Sequence, residues 1–243
     1  MRHIVHKVMP IFSPMKSKTV INRNGYPFIP YSQEHLPEEI TLKRSQAFLA
    51  TMETRRSVRD FSSTRVQKEI IDNVIKTAST APSGAHKQPW TFCVVSDPKI
   101  KKEIREAAEI EEHESYTSRM SEAWREDIRP LQTDWHKPFL ETAPYLIIVF
   151  KRTYEILADG SKRNNYYVGE SVGLACGLLL AAIHHAGLVA LTHTPNPMNF
   201  VGRILNRPEN ERPFLLIPVG YPSEGTLVPD LKRKTLEEIA VYY

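Results

Sequence analysis

An α+β sandwich, one sheet enclosed by many helices, is the fold class that the sequence predicts, on three observations. Only four runs read as strands, long helical patterns separate them, and no internal repeat or Gly/Ser linker divides the chain. With 243 residues and 41% hydrophobic content, the chain can bury a full core as one large domain.

The elements follow in order. Residues 1–33 carry Arg2, Lys7, Lys16, Lys18 and Arg23, no acid, and the four prolines Pro10, Pro14, Pro27 and Pro30. Prolines spoil the amphipathic helix of an organelle-targeting peptide, so an extended basic arm that wraps a partner subunit is expected. The arm accounts for the net charge of +4 and leaves the body, 34–243, near neutrality, which argues against a nucleic-acid surface spread over the fold. Ile40, Leu42, Phe48, Leu49 and Met52 give a helical pattern over 37–53. Further helical patterns cover 67–80, 98–128, 198–206 and 235–241. Apolar runs predict strands at Trp90–Ser96, Tyr145–Arg152, Val189–Thr194 and Phe214–Gly220. Arg152 to Arg163 reads as a polar loop turning at Asp159-Gly160.

The helix expected over 165–187 holds the most apolar stretch, Ser171 to Ile183, whose 13 residues fall short of the ~20 that span a bilayer. It is expected as a core helix ending at His184-His185 with one ring exposed. Gly169, Gly173 and Gly177 leave one stripe of it without side chains, suited to close approach by another helix; a dimer copy and a helix of the same subunit both remain open. Cys93 and Cys176 read as small buried hydrophobes, in keeping with a reducing compartment. The nine histidines show no metal-ligand spacing.

Four segments carry chemistry. Arg55, Arg56 and Arg59, with Ser57 between them in RRSVRDF, place three guanidinium forks and a hydroxyl where a helix runs out, able to grip one phosphate dianion. Ala81-Pro82-Ser83-Gly84-Ala85-His86-Lys87-Gln88-Pro89-Trp90 bends and exposes backbone N–H groups before a strand. Thr192-His193-Thr194-Pro195 ends a strand with hydroxyls, and Lys232-Arg233-Lys234 adds cations. Singly these are a solvated basic turn, a Pro/Gly connection, a strand end and a charged face. Together and in this order they resemble the flavin-dependent nitroreductase superfamily. That resemblance implies FMN, held by Arg55, Arg56, Ser57, Arg59, Pro82, Ser83, Gly84, Thr192, Thr194 and Arg233, with Arg55, Arg59 and Arg233 on the phosphate. No G-x-G-x-x-G follows a strand, so no Rossmann site is indicated.

Glu112 and Tyr116 lie four apart in an expected helix, and Lys137 follows beyond the break at Pro130. A carboxylate, a phenol and an ammonium can read both ends of an amino-acid zwitterion; singly, the acids of 109–114 are a charged helix face. The text EEHESYTSRM…W…TDWHKPFLETAP, the 81–86 loop and VGYPSEGTLVPDLKRKTL resemble the iodotyrosine deiodinase family, from about Glu34 to the end. The resemblance implies a mostly antiparallel central sheet, a domain-swapped homodimer with FMN at its interface, and NADPH supplying electrons through a reductase. It implies reductive deiodination of mono- and diiodotyrosine, with bromo- and chlorotyrosine also accepted. It places substrate on Ala85, Glu112, Tyr116 and Lys137, and gives Thr194 a bond to flavin N5 and Ala85 N–H a bond to the phenolate; residues 109–137, charged and poor in core-forming aliphatics, are expected to order over bound substrate as a lid. The chain departs from the vertebrate pattern at His193 and Asp134, and shows none of the N-terminal membrane anchor of those members; a soluble, cytoplasmic protein is expected. A general nitroreductase would share the FMN contacts without needing the clamp, and a halotyrosine sensor would keep the clamp without turnover.

Overall fold

The computed structural model describes residues 19–243; the part of the expected arm up to residue 18 lies outside the described residues. The chain divides after Phe48 into two units. In the first, β1 (Ile21–Arg23) and β2 (Tyr26–Phe28) pair as a hairpin. Asn24 and Gly25 both take positive φ between them, as a tight hairpin turn requires. Helix α1 (Glu38–Glu53) begins in this unit and has no buried residue.

In the second unit a four-stranded antiparallel sheet runs in the order β3 (Trp90–Val95), β4 (Tyr145–Arg152), β8 (Glu211–Gly220), β7 (Val189–Ala190). Side chains alternate across a strand, so the unbroken apolar run of β4 means that both sheet faces are covered. Ile147 and Val149 enter one cluster with residues of α2 (Lys68–Ala78) and α6 (Val168–His185). Leu146, Ile148 and Phe150 enter the other with α3 (Pro98–Glu114), α5 (Phe139–Thr142) and α7 (Asn199–Ile204). This is the α+β sandwich with an antiparallel sheet that the sequence predicts.

The structure differs from the expected elements in five places besides the β1–β2 hairpin within the expected extended arm and helix α5, where no helix was expected. The helix expected over 98–128 starts where predicted, Asp97 accepting from the N–H groups of Lys99 (2.8 Å) and Ile100 (3.0 Å) as an N-cap, but it is broken. A π-helical turn, Ser115–Arg119, follows α3, and α4 (Glu122–Ile128) restarts after Ser121. The strand expected over 189–194 shortens to β7, with one further bridge between His193 and Leu216. The polar loop after Arg152 turns at Gly160 as expected, yet β5 (Tyr154–Ile156) and β6 (Lys162–Asn164) pair across that turn. The last helix, α8 (Leu236–Ile239), is a single turn.

The fifth difference concerns α6. By length and composition its 18 residues suffice to cross a membrane, against the 13 counted from sequence. One face of it lies in the core through Val172, Ala175, Cys176, Leu179 and Ile183. A Cβ built on Gly169, Gly173 or Gly177 meets nothing within 4 Å, so the small-residue stripe faces open space and, among the described residues, no helix lies against it. Beside it Leu174 and Leu178 are exposed. His184 is half-buried and His185 exposed, as expected.

Candidate active site

The end of α1 organises the cationic cluster. Helix C-terminal carbonyls lack intrahelical donors, and two guanidinium groups supply them. Arg56 donates to the carbonyls of Glu53 (2.7 Å) and Arg55 (3.0 Å); Arg233, from the far end of the chain, donates to the same two at 3.1 and 2.9 Å. Ser57 bridges to Ala190 in β7, and Val58 N–H donates to Ala190 O at 3.2 Å. The result is a cavity of about 240 Å³ lined by Arg55, Arg56, Ser57, Arg59, Lys232 and Arg233 together with apolar residues and no carboxylate. Cations brought this close without a counter-charge suit a dianionic phosphate.

From β7 the chain continues extended, with Leu191, His193 and Pro195 buried and Thr192 and Thr194 exposed. Both hydroxyls therefore project to one side. His193 holds the register by exchanging backbone hydrogen bonds with Leu216 at 2.9 and 3.0 Å.

Beneath that segment Glu112, Tyr116 and Lys137 come together. Glu112 stands in the last turn of α3 and Tyr116 in the π turn, where Met120 N–H reaches back to Ser115 O at 2.9 Å. Lys137 is drawn in by its backbone N–H, which donates to Glu109 Oε1 at 2.7 Å. Its Nζ lies 3.4 Å from Glu112 Oε2 and 5.5 Å from the centre of the Tyr116 ring, and also donates to Asp134 O. Tyr116 OH donates to Thr133 O at 3.1 Å. The Lys137 and Glu112 side chains are only 4% and 12% exposed, yet their separation exceeds that of a tight charge-assisted bond. Burial lowers the Lys137 pKa and raises that of Glu112, each shift only partly offset by the other's charge. Two ions removed from water and incompletely compensated by one another are suited to take up a ligand with one charge of each sign. Arg59 lies between cavity and clamp: burial lowers its pKa, and its charge is felt at Tyr116, Lys137 and His193.

The fourth segment lies elsewhere. Gly84 is needed where it stands, since a Cβ there would meet Tyr166 O at 2.8 Å. Ser83 Oγ accepts from Gln88 N–H at 2.9 Å, and Ala85 takes φ +49°. Its N–H has no acceptor among the described residues. Lys87 pairs with Glu155 of β5 at 2.8 Å, tying the loop to the β5–β6 hairpin. Pro82 borders an apolar groove of about 670 Å³ along the glycine stripe of α6, with Leu174 and Leu178. Arg55, Arg56, Ser57, Arg59 and Arg233 thus meet in one cavity, with Tyr116 and the Glu112–Lys137 pair near enough to feel the charge of Arg59 or to pair with a residue that does; Thr192 and Thr194 flank His193, and neither is among the described residues that line the cavity. Among the described residues no hydrogen bond, ion pair or cavity joins Pro82, Ser83, Gly84 or Ala85 to them.

Lys232, from the Lys232-Arg233-Lys234 triplet, lines the cavity together with Arg233. Sequence reasoning missed Leu131 beside it and His193, whose Nδ1 lies 3.8 Å from Glu112 Oε1; neither carries a sequence signal. Both thiols stay free, Cys93 half-buried and Cys176 buried, and burial pushes Cys176 up to about 12.

Residues 52–221 match the nitroreductase family model. The iodotyrosine deiodinase of Haliscomenobacter hydrossis is 63% identical over 216 residues, covering 89% of this chain and 97% of that protein. Iodotyrosine deiodinase 1 of Homo sapiens is 50% identical over 216 residues, covering 88% of this chain and 74% of that one. Among solved structures, oxidized iodotyrosine deiodinase bound to FMN and 3-iodo-L-tyrosine superposes with a TM-score of 0.70 at 33% identity, covering 81% of this chain and 98% of that one.

Proposed function

This chain belongs to the nitroreductase family, in its iodotyrosine deiodinase branch, and from that premise we propose that it dehalogenates iodotyrosine reductively with FMN, yielding tyrosine and iodide. The observation that carries the reading within this chain is the buried Glu112–Lys137 pair beside Tyr116, 3.4 Å apart. A reductase acting on nitroarenes or quinones has no use for a site of paired opposite charges, whereas an α-amino acid presents an ammonium and a carboxylate to it.

The residues fit the cofactor. Arg55, Arg56, Ser57, Arg59 and Arg233 would hold the phosphate in the carboxylate-free cavity, and Thr192 and Thr194 would offer their exposed hydroxyls to the flavin. Cleaving an aryl–iodine bond consumes two electrons and one proton per iodide released, and FMN, when bound, supplies the electrons. The chain supplies orientation and exclusion of water. Glu112 takes the substrate ammonium, Lys137 the carboxylate, and Tyr116 hydrogen-bonds alongside. Ala85 N–H, unengaged among the described residues, receives the phenolate oxygen. Closure of 109–137 over the bound amino acid excludes water.

A homodimer completes this site. Pro82 lies on the apolar groove of the α6 stripe, so a second copy seated on that groove carries the 82–85 loop across to a neighbouring clamp. Pro82, Ser83, Gly84 and Ala85 then serve the partner's FMN and substrate. Electrons come from NADPH through a separate reductase.

The test titrates 3-iodotyrosine and tyrosine against the fluorescence of bound flavin, then adds dithionite under anaerobic conditions and assays iodide. Selective quenching by iodotyrosine with iodide release is expected. Binding without release favours a sensor, and no selective binding returns the chain to general nitroreductases.

A further inference from the structure

We infer that His193 is a positioning residue for Glu112: as a neutral ring it presents Nδ1–H to the carboxylate, keeping it aimed at the substrate ammonium when Lys137 turns to the substrate carboxylate. The inference rests on the halotyrosine reading above and assigns a role to a residue outside the clamp.

His193 is fixed by its two backbone hydrogen bonds to Leu216 of β8, so it belongs to the sheet rather than to the lid. Its side chain points inward, 7% exposed, and meets the Phe139 ring edge-on, centroids 5.7 Å apart at 87°. Nδ1 stands 3.8 Å from Glu112 Oε1, beyond a hydrogen bond yet within a small side-chain adjustment of one. Nε2 is buried with no partner among the described residues.

The tautomer follows by elimination. With the proton on Nε2, a buried N–H would lack an acceptor and the Nδ1 lone pair would face an ionised carboxylate; with it on Nδ1, the N–H faces the carboxylate and only a weak acceptor is left over. A second proton is disfavoured: burial, reinforced by the charges of Lys137 and Arg59, holds the pKa down to about 3, against which Glu112 is the one facing carboxylate.

Neutrality matters to the task. Glu112 now leans on Lys137 at 3.4 Å. A substrate carboxylate that engages Lys137 weakens that support at the moment the ammonium arrives. A cationic neighbour in place of Lys137 would repel the ammonium, whereas a neutral donor orients the carboxylate and leaves its charge for the ligand.

The test compares kcat/KM for 3-iodotyrosine with that for its des-amino analogue, 3-(4-hydroxy-3-iodophenyl)propanoic acid, in the FMN-loaded protein. An Asn amide N–H₂ falls near imidazole Nδ1, a Gln amide near Nε2. His193→Leu and His193→Gln should lower the preference for iodotyrosine about tenfold, as expected for a lost bond to a charged group, while His193→Asn holds it within about threefold and FMN content is unchanged in all three. An unaltered preference in His193→Leu, equal losses on both substrates, or rescue by Gln as good as by Asn overturns the assignment. A ¹⁵N-histidine spectrum of the holoprotein should show this ring neutral and protonated on Nδ1; an Nε2–H ring overturns it without reference to turnover. Absence of iodotyrosine turnover in the unaltered protein overturns the halotyrosine reading instead, and this inference with it.

Discussion

Lys137 and Glu112 show what burial costs a single pair of opposite charges. Burial raises the Glu112 pKa, so its ionised form is penalised on folding and the penalty is relieved as pH falls. It lowers the Lys137 pKa, so the ammonium is penalised and that penalty is relieved as pH rises. Both groups therefore subtract from stability near neutrality, where ligand binding needs both charged. Replacing them together by neutral isosteres, Glu112→Gln with Lys137→Met, should keep the melting temperature within ~3 °C of the parent or raise it, while iodotyrosine affinity falls at least ~100-fold and FMN content holds. Calorimetry and flavin-fluorescence titration check the two halves. The pH profile of iodotyrosine affinity should be narrower than ordinary glutamate and lysine side chains would give. Its acid limb begins above the usual carboxylate range, and its alkaline limb, once the ligand's own titrations are subtracted, begins below the usual lysine range. The residues of the proposed clamp were singled out in the sequence by the family resemblance, because a carboxylate, a phenol and an ammonium can together engage a zwitterion whereas each alone reads as a charged face. His193 was not, because a histidine between two threonines reads as a strand end, and only the fold brings it to 3.8 Å from Glu112.

Elements decide whether those residues meet. Periodicity found α2, α3, β4 and β8, whose apolar patterns are dictated by the two-sided core. It missed β5 and β6, three-residue strands that are mostly exposed and carry no alternation to read. The π turn was also invisible, since its residues Ser115–Arg119 differ from an α-helix in hydrogen-bond step rather than in composition. That turn is tied down by Arg119, which donates to Glu111 Oε2 at 2.9 Å and to Asn196 O at 2.8 Å, linking the lid to the chain beyond Thr194. Arg119→Ala should raise KM for iodotyrosine roughly 3- to 10-fold with FMN content unchanged, measured by steady-state iodide release. Gly84→Ala acts on a different element: its Cβ would collide with the Tyr166 carbonyl and push the loop from the β5–β6 side. Reduced FMN retention after gel filtration is expected, with a fall in melting temperature of a few degrees.

At the scale of the whole molecule, the sequence ordered the four segments proposed to hold FMN along one chain but could not say which of them would share a subunit, because motif order along a chain is blind to that. The exposed stripe of Gly169, Gly173 and Gly177 with Leu174 and Leu178 beside it is the face on which the proposed dimer would depend. Leu174→Glu with Leu178→Glu should yield a monomer by light scattering, and that monomer should lose FMN, since the 82–85 loop no longer reaches a neighbour.

The separation of the 82–85 loop from the clamp within one chain makes the protein open to complementation between two defective copies. Glu112→Gln damages only the clamp, and Gly84→Ala only the loop. Either variant alone forms dimers with no sound site. Unfolded, mixed in equal amounts and reassembled, about half of the dimers are mixed, and each of these joins one sound clamp to one sound loop, so about a quarter of the parental activity should return.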